Sequence, residues 1–284
     1  MTAILKLISR LPLPVLYTSS WLLYGLIHYL LRFRRELVRD NLRFAFPQLT
    51  ESEIADLARR FYRCYADVIV EMIKSLTISA QEITERVEIE GKSLLTEKLE
   101  HGQAVMVAAA HHCNIEWLML ALSAQVHYPF EAIYRPLSSP AMESLSTQAY
   151  TRFGGRLIKD RSVIREIVAR KRSPRVVAIV PDQSPNRSDD TYWTEFLGRE
   201  TGFFMAPDTI AKFAGYPVFF LGMRRTGRGR YVVSVKPIAA PPYRAADPDI
   251  VTAYVREVEQ QVRASPADWL WIHRRWKRSR SLYG

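Results

Sequence analysis

Residues 104–117 read AVMVAAAHHCNIEW, and this stretch limits the fold more than any other. The apolar run 104–110 is long enough for a strand and too short for a buried helix. It does not alternate with polar residues. An unbroken apolar run marks a strand covered on both faces, as in a parallel sheet flanked by helices. The run ends in His111 and His112, and from Asn114 to Leu122 the pattern turns helical. Side chains at such a junction are fixed by the packed strand and exposed at its end, where α/β folds place their chemistry.

From Glu88 onward the pattern repeats. Strands are expected at 104–110, 130–135, 156–158, 175–180, 218–223 and 231–235. Helices fit between them at 142–152, 162–169 and 208–213. This predicts an α/β fold with a mixed, largely parallel sheet covered by helices. Ahead of it, Thr50-Glu51-Ser52-Glu53 reads as a capping box. The helix behind the box has apolar positions from Ile54 through Phe61 and Ile69 to Leu76 at helical spacing. Glu71 and Lys74 on that helix are expected to be solvated or paired.

Residues 11–31 are mostly apolar, with Pro12, Pro14, Gly25 and His28 as interruptions and basic residues on both flanks. The segment lacks a small-residue cleavage site, so it does not read as a removed signal peptide. Three readings stay open: a short membrane-spanning anchor, a helix lying in the interface, and a buried core helix. The arginines that follow place the rest of the chain on the cytoplasmic side. The expected organisation is an anchor or interfacial segment at 1–35, then one catalytic domain at 36–284. That domain divides into a helical part at 36–87 and an α/β core at 88–284. The net charge of +11 favours anionic partners. Nucleic acid is excluded from these by the lack of any recognition signature. Cys64 and Cys113 lie in unlike contexts and suit a reducing compartment better than a disulfide.

His111 and Glu116 are separated by four residues, and of the six histidines only His111 has an acid five positions on. Such a pair supplies a base near neutral pH and a carboxylate to orient it. His111-His112-Cys113 is a poor metal set, since neighbouring residues of an extended segment point apart. Cys113 is open to two readings, a small apolar filler or a nucleophile for a thioesterase or other hydrolase.

Four further segments follow in order: Tyr134-Arg135-Pro136, Arg152-Phe153-Gly154-Gly155, Pro181-Asp182-Gln183, and Trp269 to Lys277. With Asn41-Leu42 and Phe46-Pro47 near the front, they resemble the lauroyl and myristoyl (late) acyltransferases of lipid A biosynthesis, within the lysophospholipid acyltransferase superfamily. The resemblance runs over nearly the whole chain. The family's histidine, four residues, acid motif falls on His111 and Glu116. Its later arginine falls on Arg152, with Arg156 close by. Its aspartate after the next strand falls on Asp182. The chain departs from the family at Ile115, where many members carry tryptophan, and at Cys113, where glycine is frequent. Trp117 is a candidate for the tryptophan's role.

The resemblance implies a glycerol-phosphate acyltransferase-like fold and an acyltransferase without cofactor or metal. Its donor would be an acyl thioester on acyl carrier protein. Its acceptor would be a hydroxyl of a lipid A precursor or related glycolipid, with a lysophospholipid or aminolipid as alternatives. The place would be the cytoplasmic face of the bacterial inner membrane. His111 and Glu116 would be catalytic. Arg135 and Arg152 would bind phosphate or support charge at the carbonyl, with Asp182 holding Arg152. Arg274, Arg275, Lys277 and Arg278 would meet membrane lipid or the carrier.

Overall fold

The structure is a computed structural model that describes residues 2–136, 139–170, 173–244 and 248–277. The chain begins with α1 (Thr2–Ser9), α2 (Leu13–Gly25), a π-helical turn at Leu26–Leu30, and α3 (Arg35–Ala45). Pro12, just before α2, breaks the first two helices, because proline can start a helix but not sit inside one. No described helix is long and apolar enough to cross a membrane. α2 instead packs on α4 (Glu51–Lys74) through the buried Leu13, Leu16, Tyr17 and Tyr24. The capping box at the start of α4 forms as expected, with Thr50 and Glu53 exchanging hydrogen bonds.

Three elements that were not expected come next, α5 (Ala80–Arg86), β1 (Val87–Glu90) and α6 (Ser93–Glu100). The chain then alternates as expected: β2 (Val105–Ala108), α7 (Ile115–Gln125), β3 (Phe130–Tyr134), α8 (Pro140–Tyr150), β4 (Arg156–Lys159), α9 (Val163–Ala169) and β5 (Val176–Ile179). A hairpin follows, β6 (Thr191–Phe196) and β7 (Arg199–Phe204), then α10 (Ala206–Ala214), β8 (Val218–Gly227), β9 (Arg230–Ala239) and α11 (Asp249–Ala264). Seven strands form one sheet in the order β1-β9-β8-β2-β5-β3-β4. Every neighbouring pair is parallel except β8 with β9. β2 and β5 are buried at every position, as their unbroken apolar sequences require. Their register sets Ala108 opposite Ile179. That pairing decides what meets at the sheet edge.

Candidate active site

β2 and β5 run side by side in the same direction, and each has a polar residue three positions past its end. Ala108 leads to His111, and Ile179 leads to Asp182. Equal overhangs from paired positions bring the two side chains together. His111 Nδ1 lies 2.5 Å from Asp182 Oδ1, and the His111 backbone N–H donates to Asp182 Oδ2 at 2.9 Å. Trp269 Nε1 donates to the same Oδ2 at 2.9 Å. Asp182 is buried and fully engaged, so its carboxylate orients the imidazole and favours a proton on Nδ1. The other ring nitrogen, Nε2, faces the side-chain nitrogen of Gln183 at 3.2 Å. A Gln183 N–H donating there requires a free lone pair on Nε2, which is the state a general base needs.

The electrostatics agree with that geometry. Burial opposes charge on His111, but the Asp182 carboxylate, its hydrogen bond and the more distant Glu116 outweigh it, and the pKa is raised above the ordinary histidine value. Burial likewise works against ionised Asp182. The imidazole, Trp269 and the backbone N–H prevail and hold its pKa below the ordinary carboxylate range. For Glu116, burial dominates and pushes the pKa up.

The imidazole's Nδ1 partner is thus Asp182, where the sequence spacing pointed to Glu116. Four intervening residues carry the chain through a turn and into α7, whose second residue is Glu116. Its Oε1 accepts from Tyr150 at 3.3 Å, and it acts on His111 through charge. Tyr150 ends α8, and the chain must then turn sharply into β4. Gly154 adopts φ +82°, and a Cβ at Gly155 would fall 2.7 Å from the Tyr150 carbonyl oxygen. Both glycines of that expected motif are therefore steric necessities.

The second histidine has a different task. His112 is buried, and its ring nitrogens face the carbonyls of Met223 and Ser265 at 3.2 and 3.0 Å. Cys113 is buried at φ +56°. Its Sγ faces His112 and the Met223 carbonyl, and burial pushes the thiol pKa well up. A protonated thiol turned toward a carbonyl is a filler, not a prepared nucleophile.

Behind the site lies Glu71, which is wholly buried rather than solvated. Its carboxylate accepts from Tyr17 at 2.7 Å, Tyr231 at 2.6 Å and Asn114 at 2.8 Å. Asn114 also caps α7, accepting from Trp117 N at 2.9 Å. Trp117 Nε1 donates to the Glu71 carbonyl at 3.0 Å. One carboxylate therefore ties α2, β9 and the first turn after His111 together.

The arginines are distributed differently from expectation. Asp182 does not hold Arg152. Arg152 donates to the Ser75 carbonyl at 2.9 Å and lies over the Phe153 ring, while Asp182 is spent on His111 and Trp269. Arg156 is exposed and bound to Glu166 at 3.0 Å. Arg135 follows β3 on the same sheet edge as His111, half exposed, with Asp160 at 2.8 Å and Asp189 at 3.4 Å.

Of the C-terminal cations, Arg274 and Lys277 are exposed, and Arg278 lies outside the described residues. Arg275 is no surface contact: it is buried, donates to the Gly202 carbonyl at 2.8 Å and lies over Phe203. Burial lowers its pKa to about 10. The segment folds back because Trp269 and Trp271 are core residues. His273 Nε2 accepts from Ser184 N at 3.1 Å and pins the loop that carries Asp182 and Gln183. Gln183, Trp269, His273, Tyr150 and Glu71 were not expected in the site. The only sequence sign of Gln183 is its place beside Asp182.

Comparison with known proteins agrees with the family resemblance carried by the sequence motifs. The family model for bacterial lipid A biosynthesis acyltransferases matches residues 1–278. The chain is 24% identical over 280 residues to the lipid A biosynthesis palmitoleoyltransferase of Escherichia coli (strain K12), covering 96% of this chain and 89% of that one. It is 21% identical over 277 residues to the lauroyltransferase of the same organism, again covering 96% and 89%. A lipid A biosynthesis acyltransferase of Haemophilus influenzae is 24% identical over 295 residues, covering 97% and 88%. The chain belongs to the bacterial lipid A biosynthesis acyltransferases, enzymes that transfer acyl groups.

Proposed function

We propose that this enzyme moves a fatty acyl chain from an acyl carrier protein thioester to a hydroxyl of a lipid A precursor, at the inner face of the bacterial inner membrane. The observation that carries the reading is the His111 imidazole, held at Nδ1 by Asp182 with Nε2 left to accept a proton. The acceptor hydroxyl takes the place of the Gln183 amide at Nε2. As its oxygen attacks the thioester carbonyl, the proton passes to Nε2, and the imidazolium is stabilised by Asp182 and Glu116. Collapse of the tetrahedral oxyanion breaks the carbon–sulfur bond. The carrier's sulfur leaves with the proton from His111, and the products are an ester and a thiol. No acyl-enzyme is needed, since the acceptor supplies the nucleophile.

The acidic carrier suits a chain of net charge +11. The membrane side of the reading rests on α2 and the π-turn, which leave Leu22, Leu26 and Leu30 exposed at 75%, 41% and 75%. Four-residue spacing sets these leucines on one face, the arrangement of a helix lying in an interface.

Purified protein, acyl carrier protein loaded with a fatty acid, and a lipid A precursor should give an acylated product by mass spectrometry. His111→Ala should lower turnover by about 10²–10⁴-fold. Acylation of a lysophospholipid or aminolipid in preference to the precursor would move the assignment to another acceptor. Thioester hydrolysis abolished by Cys113→Ala would move it to a hydrolase.

A further inference from the structure

A cavity of about 430 Å³ lies away from His111, between α2, α4 and the end of β8. Three arginines line it, Arg63, Arg225 and Arg228, against a single carboxylate, Asp67. Asp67 is occupied by Arg228 at 2.6 Å. Arg225 gives its Nε to Asp268 at 3.0 Å and stacks over Tyr231, but its buried Nη2 has no hydrogen-bond partner. A buried charged donor without an acceptor is costly unless a ligand completes it. Arg63 is exposed and lies over the rings of Trp21 and Tyr24, at 5.5 and 5.4 Å. These aromatic faces hold the guanidinium at the rim.

Trp21 is half exposed, and the next residue begins the line of exposed leucines at 22, 26 and 30. A cationic pocket, one of whose lining arginines carries a buried N–H without a partner, thus opens beside an apolar helix face. That pairing matches one kind of ligand, an anionic headgroup whose acyl chains lie along the helix.

We propose that this cavity binds the phosphate of an anionic membrane glycerophospholipid, as a docking site separate from the catalytic pocket. The phosphate oxygens take the Nη2 hydrogen bond of Arg225 and the charge of Arg63. The lipid's chains lie against Leu22 and Leu26. The proposal rests on the membrane-surface part of the function above, and not on the acyl-transfer part.

Cys64 lines the cavity and gives a direct readout. Its alkylation by iodoacetamide, followed by peptide mass spectrometry, is measured with the full-length protein and no acceptor glycolipid. Vesicles of phosphatidylglycerol should slow alkylation at least fivefold relative to phosphatidylcholine vesicles. Arg63→Gln should raise the half-saturating lipid concentration about fivefold, the worth of one cation at an anionic surface. Vesicle co-sedimentation makes the same comparison without the thiol. His111→Ala should keep full protection, which separates this site from the catalytic one. Equal protection by inorganic phosphate alone would reduce the cavity to a small-anion site and overturn the lipid assignment. Protection appearing only with the acceptor glycolipid would reassign the cavity to the substrate. Wild-type binding and protection in Arg63→Gln would reject the pocket outright.

Discussion

Asp182 grips His111 twice, with one carboxylate oxygen on Nδ1 and the other on the same residue's backbone N–H, across 71 positions of sequence. Ring and main chain are thereby fixed together, so the imidazole can neither rotate nor change tautomer without breaking a buried bond.

Replacing Asp182 with Asn keeps the shape but loses the charge and the fixed tautomer. Turnover should fall by about 10²–10⁴-fold, with folding retained by circular dichroism. Since Arg152 has other partners, Asp182→Asn and Arg152→Ala should act independently. A double-mutant cycle on turnover should give an interaction below about 0.5 kcal/mol. A larger value would mean the two residues communicate after all.

The pH profile follows from the direction of the His111 shift. The base works only when Nε2 is free, so kcat/KM should fall as pH drops through the His111 pKa. Asp182 and Glu116 raise that pKa, so the acidic limb lies above the ordinary histidine range. Glu116→Gln removes one negative charge and should move the limb toward lower pH. A limb that moves toward higher pH in this variant would contradict the electrostatic role given to Glu116.

Removal of residues 1–35 strips Tyr17 from Glu71 and uncovers the α4 face that Leu13 and Leu16 bury. The truncated chain should aggregate on size-exclusion chromatography instead of yielding a soluble enzyme. A monodisperse, active truncated protein would show that the Tyr17–Glu71 bond is dispensable.

Cys113 holds a left-handed backbone angle that costs a side-chain-bearing residue about 1 kcal/mol or more. Glycine is free of this cost. Cys113→Gly should therefore unfold at higher denaturant than Cys113→Ala, by about 1 kcal/mol, and both should keep most activity.

The central strands β2 and β5 were legible because each is a short apolar run, and all six expected strands overlap observed ones. Which strands lie side by side was not legible. Nothing local in residues 104–117 points to residue 182, so Glu116, near in sequence, took the role that the β2–β5 register gives to Asp182. Arg275 misled for a related reason. A basic run reads as a surface that meets lipid or carrier, and only the burial of Trp269 and Trp271 draws that arginine inward. Glu71 read as solvated or paired on a helix whose opposite face is apolar, with no sign of which partners would bury it. Its burial depends on donors from Tyr17, Asn114 and Tyr231, which no helical period reveals. α11 was not expected, although Ile250, Tyr254, Val258 and Val262 keep helical spacing. The β6–β7 hairpin was not expected either, for its strands are only half-buried along much of their length and give a weak pattern.

The closing segment also has a consequence for the order of events during synthesis. Trp269 completes the hydrogen bonds of Asp182, His273 pins the loop beside it, and Asn41 near the start of the chain donates to the carbonyls of Trp271 and His273. On the ribosome Trp269 and His273 emerge after every described strand of the sheet has been made. A nascent chain can thus build its sheet and still lack a finished catalytic pair. The hydrogen bonds around Asp182 are complete only once residues 269–273 have packed against Asn41 and the Asp182 loop, so a chain interrupted before residue 269 would lack them.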